Sequence, residues 1–127
     1  MLEIKSILVI DDESTVRALL KEVVSDMECN YFEAARAEKG LRILEKEEIS
    51  LIFLDIQLPN INGLDVLPKI KELYPNIPIY LISAFHSMED VIKNMKIDIN
   101  GFIPKPFDIH KIRDIVQREL EEGEKWK

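Results

Sequence analysis

One cysteine, Cys29, is all the chain has, so no intramolecular disulfide is available and a reducing compartment is the natural setting. Cys29 itself reads as a small, semi-apolar side chain near a turn rather than a reactive thiol. Basic residues are in deficit, 17 against 24 acidic, for a net charge of −7. That lacks the basic face needed for a general nucleic-acid footprint, and no direct nucleic-acid binding is expected. Long apolar runs are also missing. Ile7-Leu8-Val9-Ile10 stops at Asp11-Asp12, too short for a signal-peptide core or a membrane span, so the expectation is a cytoplasmic protein without membrane attachment. No Cys/His cluster exists to hold zinc. His86 and His110 read as solvent-facing loop and helix residues. Repeats, low-complexity stretches and linkers are absent too. The 127 residues suffice for one domain that needs no staples, read as 1–121, with 122–127, including Trp126, as a C-terminal tail.

What is present is a regular alternation. Five short apolar runs rich in β-branched residues recur at Ser6–Ile10, Tyr31–Ala35, Leu51–Leu54, Ile77–Ile82 and Gly101–Pro104. The first, third and fourth are almost continuously hydrophobic, as strands buried on both faces of a parallel sheet should be. Between them lie helical spacings. Val16, Leu19, Leu20, Val23, Val24 and Met27 mark the first helix, with Ser14 as its N-cap. Leu41, Ile43 and Leu44 mark a second, which ends in the solvated charge run Glu45–Glu48. Leu64, Leu67, Ile70 and Leu73 mark a third, where Pro68 favours a late start near Val66. Met88, Val91, Ile92 and Met95 mark a fourth, introduced by Ser87-Met88-Glu89-Asp90 in the manner of a capping box. Ile109, Ile112, Ile115, Val116 and Leu120 mark the last. Alternation of this kind predicts an α/β class, with helices on both faces of a parallel sheet.

Chemistry gathers at the strand ends. The first strand ends in Asp11-Asp12, the third in Asp55, the fourth in Ser83 and the fifth in Lys105-Pro106. In an open parallel sheet these carboxyl ends share one edge, and ligands bind where the strand order reverses. An Asp-Asp pair after a strand is, alone, an ordinary loop opening onto a helix N-terminus, and a lone Lys-Pro says little. Converging, they form three carboxylates, a hydroxyl and an ammonium. Crowded carboxylates repel unless a cation neutralises them, and oxygen-only ligands select a hard ion, Mg²⁺ being the cellular default. Such an ion with Lys105 suits a phosphoryl group, and aspartate is a phosphoryl nucleophile through an acyl phosphate. Residue chemistry alone does not decide which aspartate attacks.

Asp11-Asp12, then Leu54-Asp55-Ile56-Gln57-Leu58-Pro59 with Gly63, then Ser83-Ala84, then Lys105-Pro106-Phe107, resemble the two-component response-regulator receiver domain. The resemblance runs from about Lys5 to Leu120. It implies a doubly wound, flavodoxin-like (βα)5 fold with strand order 2-1-3-4-5, in a stand-alone domain. It also implies phosphoryl transfer from a sensor histidine kinase or histidine phosphotransfer protein onto Asp55, with Mg²⁺ bound. Asp12 would ligate the ion directly, Asp11 mainly through water, and Asp55 and the Gln57 carbonyl would complete the protein ligands. Ser83 and Lys105 would hold phosphoryl oxygens, and the Lys105–Pro106 bond would be cis. Ser83 and Phe102 would form the switch. Output would pass to a protein partner through the face of fourth helix, fifth strand and fifth helix, from a monomer or a phosphorylation-dependent dimer.

Several positions depart from that pattern. Ser83 stands where threonine is common, and Asp98-Ile99 replaces the usual Gly-Ala before the last strand, which bears on how the fourth helix ends. Gln57 and Phe85-His86 occupy positions that influence phosphate lifetime. A signalling module, not a conventional turnover enzyme, is the expectation. The alternative is an Asp-nucleophile phosphohydrolase acting on small phosphate esters. Such enzymes carry a second acid two residues after the nucleophile, where this chain has Gln57, which cannot be a general acid. A flavin or nucleotide binder of the same architecture is disfavoured, because Asp11-Asp12-Glu13-Ser14 is acidic and has no glycine-rich phosphate cradle.

Overall fold

Residues 4–58, 61–84, 90, 93–94, 96 and 98–125 are described by the structure, a computed structural model. Chain order gives β1 (Lys5–Ile10), α1 (Ser14–Val24), β2 (Cys29–Ala34), α2 (Ala37–Lys46) and β3 (Leu51–Asp55). A two-residue hairpin, Gln57–Leu58 with Ile61–Asn62, leads into α3 (Gly63–Leu73). Then follow β4 (Ile79–Ser83), β5 (Gly101–Pro104) and a C-terminal helix (Ile109–Lys125). The five main strands form a parallel sheet in the order β2-β1-β3-β4-β5. That is the flavodoxin-like order expected, 2-1-3-4-5.

Why these runs are strands is visible in their burial. In β1 and β3 nearly every side chain is buried, and alternate residues serve opposite faces. Leu8, Ile10, Ile52, Leu54, Ile79 and Leu81 pack on one side with Ala37 and Leu44 of α2 and Leu64, Val66, Leu67 and Ile70 of α3. Ile7, Val9, Leu51, Phe53, Tyr80 and Ile82 pack on the other with Leu20, Val23 and Val24 of α1 and Ile112, Ile115, Val116 and Leu120 of the C-terminal helix. Each fully buried aliphatic contributes roughly 1.5–3 kcal/mol, so a one-residue slip in either central strand would exchange both cores and is strongly disfavoured. Ladder register therefore fixes where each strand ends. Ile10 pairs with both Ala34 and Leu54, Asp55 with Ile82, and Ser83 with Pro104.

Several local expectations need correction. Ser14 is the first residue of α1 rather than its cap; Glu13 holds the cap position without a side-chain bond. Asp11 Oδ1 accepts the Glu13 N–H at 2.9 Å, which turns the chain early and starts the helix one residue sooner. Pro68 lies inside α3, which begins at Gly63, not near Val66. The Gly63 N–H donates to Ile56 O at 2.8 Å, and burial of Leu64, Val66, Leu67 and Ile70 holds the first turns in place. Packing outweighs the local preference of proline there. The C-terminal helix continues to Lys125, beyond the frayed end expected from Glu121 onward. Of the expected fourth helix, Asp90, Lys93 and Asn94 are helical, while Ser87, Met88, Glu89, Val91, Ile92 and Met95 lie outside the described residues. So do Pro59, Phe85, His86 and Trp126. Asp98 is exposed and Ile99 packs against the α2–α3 core.

Gly63 is needed for contact rather than for φ. A Cβ there would lie 2.4 Å from Asp55 O and 2.6 Å from Ile56 Cα, both backbone atoms with little room to move. Gly63→Ala should therefore destabilise the fold by about 1–3 kcal/mol, the usual range for overpacking, seen as a lower urea midpoint at unchanged slope. A wild-type midpoint would mean that α3 does not press on the β3 end.

Candidate functional site

Every strand end that carries chemistry lies on one edge, and the reversal of strand order falls between β1 and β3, between Asp11 and Asp55. Asp11 is 0% exposed, Asp55 2% and Ser83 0%, whereas Asp12 and Glu13 face solvent. The carboxylates of Asp11, Asp12, Glu13 and Asp55 each offer an oxygen, and all four atoms lie within 4.8 Å of one another. Lys105 reaches into this cluster from the far side of β4. Its Nζ is 2.9 Å from Asp11 Oδ2, 2.9 Å from Glu13 Oε1 and 3.1 Å from Asp55 Oδ2. A main-chain bond sets that reach: the Lys105 N–H donates to Ser83 O at 2.8 Å, so the hydroxyl-bearing residue and the ammonium-bearing residue are tied together. The Lys105–Pro106 peptide bond is cis.

Electrostatics at the cluster are finely opposed. Burial, helped by the charge of Asp11, pushes the Asp55 carboxyl up to about 6, against the pull of the Gln57 N–H on Oδ1 at 2.9 Å and of Lys105. Burial opposes the charge on Lys105, but Glu13, Asp11 and Asp55 together outweigh it and raise its pKa. Asp11 Oδ2 is buried, and among the described residues its single cationic partner is the Lys105 ammonium at 2.9 Å. Four oxygen donors, two of them on buried side chains, with no sulfur or imidazole among them, suit a hard divalent ion.

The structure thus brings Asp11, Asp12, Asp55, Ser83 and Lys105 to one rim. Gln57 stands beside them, exposed, with its N–H on Asp55. Phe102 is half-buried on β5 against the α2–α3 core, three residues before Lys105. Two contributors escaped the sequence reading. In the sequence Glu13 counts only as part of an acidic turn without a glycine-rich cradle; its adjacency to two acids was the available signal. Arg17 Nη1 donates to Asp11 O at 2.8 Å while its Nε pairs with Glu33, and Tyr31 Oη donates to Arg17 O at 2.8 Å. This belt clamps the acidic loop, and nothing in the residue pattern marked Arg17 out from other helix-surface cations.

Comparison with known proteins agrees with this geometry. Residues 7–117 match the family of the response regulator receiver domain. The chain is 31% identical over 116 residues to sporulation initiation phosphotransferase F of Bacillus subtilis, covering 91% of this chain and 94% of that protein. It spans about a quarter of the length of the NtrC and NtrX-like regulators it also matches. Among solved structures, a CheY-like receiver domain protein from Methanospirillum hungatei superposes with a TM-score of 0.87 at 26% identity, covering 98% of this chain and 100% of that one. Response regulator TrrA of Thermotoga maritima, solved with Mg²⁺ and BeF, gives 0.80 at 27% identity over 91% of this chain and 99% of that one.

The raised Asp55 carboxyl has a consequence for stability. Since its folded pKa lies above the ordinary value of 3.8, the folded state holds the proton longer, and stability falls as pH rises from about 4 to about 6. Above that window the ionised Asp55 remains a liability. With divalent ions chelated, Asp55→Asn should be more stable than the parent by about 1–3 kcal/mol at pH 7.5, and the gap should close below pH 4. Thermal unfolding at the two pH values checks both the sign and the window.

Proposed function

Because the chain belongs to the response regulator receiver domain family, we propose that Asp55 is its phosphoacceptor and that the surrounding acids hold Mg²⁺. The observation that carries this reading is the buried Asp55 carboxylate held between the Gln57 N–H and the Lys105 ammonium, beside the cluster of acids. Asp12, exposed at the mouth, would ligate the ion directly, Asp11 through water, and the Gln57 carbonyl would complete the set with Asp55. Bound there, Mg²⁺ would offset the negative charge of the phosphoryl oxygens. The match to a receiver solved with Mg²⁺ and BeF supports that choice of ion.

In the step itself, an Asp55 carboxylate oxygen attacks phosphorus, the phosphorus–nitrogen bond of a donor phosphohistidine breaks, and its electron pair stays on the imidazole. Nothing else is consumed, so the product is an acyl phosphate, whose phosphoryl oxygens Lys105 and Ser83 would hold. The donor class is a histidine kinase or histidine phosphotransfer protein, and the similarity to a protein named a phosphotransferase of sporulation favours relay as one use. Phe102 would follow Ser83 inward as the switch. Output would leave through β5, the C-terminal helix and the segment before them. Receiver domains are signalling domains rather than conventional enzymes. Gln57 has no proton to give a leaving group, which weighs against ester hydrolysis as well.

With Mg²⁺ and a small acyl-phosphate donor, the protein should gain one phosphoryl group by intact mass, and Asp55→Asn should gain none; labelling of that variant at the parental level would move the acceptor elsewhere. Lys105→Ala should keep the fold and still take the group, yet lose the spectral shift that accompanies phosphorylation. Transfer from the labelled protein to a purified histidine phosphotransfer protein separates relay from direct output.

A further inference from the structure

In this structure the cation of the acid cluster is the Lys105 ammonium. It contacts Asp55 Oδ2 and Asp11 Oδ2, on two of the acids that the reading above gives to Mg²⁺, Asp55 directly and Asp11 through water. A divalent ion on those carboxylates would repel the ammonium beside them and loosen its hold on both acids. A lysine pushed out with no anion to receive it would resist the exchange, because its side chain is only 11% exposed. Glu13 differs from the other two partners. Its side chain is 54% exposed at the mouth, its Oε1 already lies 2.9 Å from Lys105 Nζ, and its backbone N–H is fixed by Asp11 Oδ1. The Glu13–Lys105 pair can therefore persist when Asp11 and Asp55 turn to another cation.

We infer that Glu13 is a positioning residue for metal entry: it would retain the Lys105 ammonium as Asp55, directly, and Asp11, through water, turn to the divalent ion. Lysine then stays at the mouth, where the incoming phosphoryl group arrives, instead of competing with the ion. The inference rests on the reading of the cluster as a Mg²⁺ site. A rival role for Glu13, as a ligand of the ion itself, makes the opposite statement about Lys105: its effect would be indifferent to the lysine.

A double-mutant cycle on Mg²⁺ affinity separates them, measured by calorimetry at low ionic strength on the full chain without any phosphodonor. Glu13→Gln should weaken Mg²⁺ binding about two- to fivefold, the size of one exposed ion pair. Lys105→Ala alone should tighten it by removing the competitor, and in that background Glu13→Gln should have no further effect. Equal weakening with and without the lysine would make Glu13 a ligand and overturn the inference, as would no weakening in either background. Parental protein that binds no Mg²⁺ would overturn the reading of the cluster too, whereas normal Mg²⁺ binding with an uncoupled Glu13 removes only this one.

Discussion

Two carboxylates of negligible exposure, Asp11 and Asp55, lie against one ammonium, and the rest of the site is arranged around that unequal charge count. Burying an ionised acid is costly unless it is paired and hydrogen-bonded. Each acid has some compensation. Asp11 accepts the Glu13 N–H, Asp55 accepts the Gln57 N–H, and both approach Lys105. The compensation is incomplete, as the upward push on Asp55 and the sharing of one ammonium between both acids record. A native state that keeps such a deficit is less stable than it need be, and on the proposed reading a divalent cation would relieve it. An ion bound by the native state alone would then add stability by mass action.

The sheet makes this deficit possible. Ile7–Ile10 of β1 and Leu51–Leu54 of β3 are apolar and buried, so Asp11 and Asp55, the first charged residues at their carboxyl ends, are held at a rigid, sheltered rim. Pairing of Ile10 with Leu54 sets the acids after β1 beside Asp55 at the end of β3. Arg17 reinforces the rim from outside by holding the Asp11 carbonyl. The positive charge of that guanidinium is largely committed to Glu33, so it steadies the backbone without neutralising the cluster.

What was legible in the residues follows from the range of the forces involved. Continuous apolar runs such as Leu51–Leu54 read correctly because burial on both faces leaves no alternative pattern, and the convergence of Asp11, Asp12, Asp55, Ser83 and Lys105 followed from parallel topology alone. Features decided by single tertiary contacts were not legible. Pro68 points to a late helix start when only local preference is weighed, yet the bond from Gly63 to Ile56 and the buried face of α3 begin the helix earlier. Ser14 has cap chemistry, but Asp11 supplies the turn one step upstream. Glu13 acts on Lys105 far along the chain, marked in the sequence only by its place beside two acids, and Arg17 acts outside its own turn with no mark among other surface cations. Strand ends moved by a residue or two for the same reason, as in β2, which begins at Cys29 because Lys5 pairs with it.

Coupling between charge and shape then follows from one backbone contact. Ser83 O accepts the Lys105 N–H, and the β4–β5 ladder continues upstream through Ile82–Ile103 and Leu81–Phe102. On the proposed reading, a phosphoryl group beside Asp55 adds negative charge between the Ser83 hydroxyl and the Lys105 ammonium and draws both inward. Neither can move alone, because the same hydrogen bond ties their strands. Displacement would thus pass to β5, where Phe102 is only half-buried and so has room to respond, while Ile103 beside it is fixed in the core. A fully packed aromatic at that position would resist the movement, and a fully exposed one would not feel it.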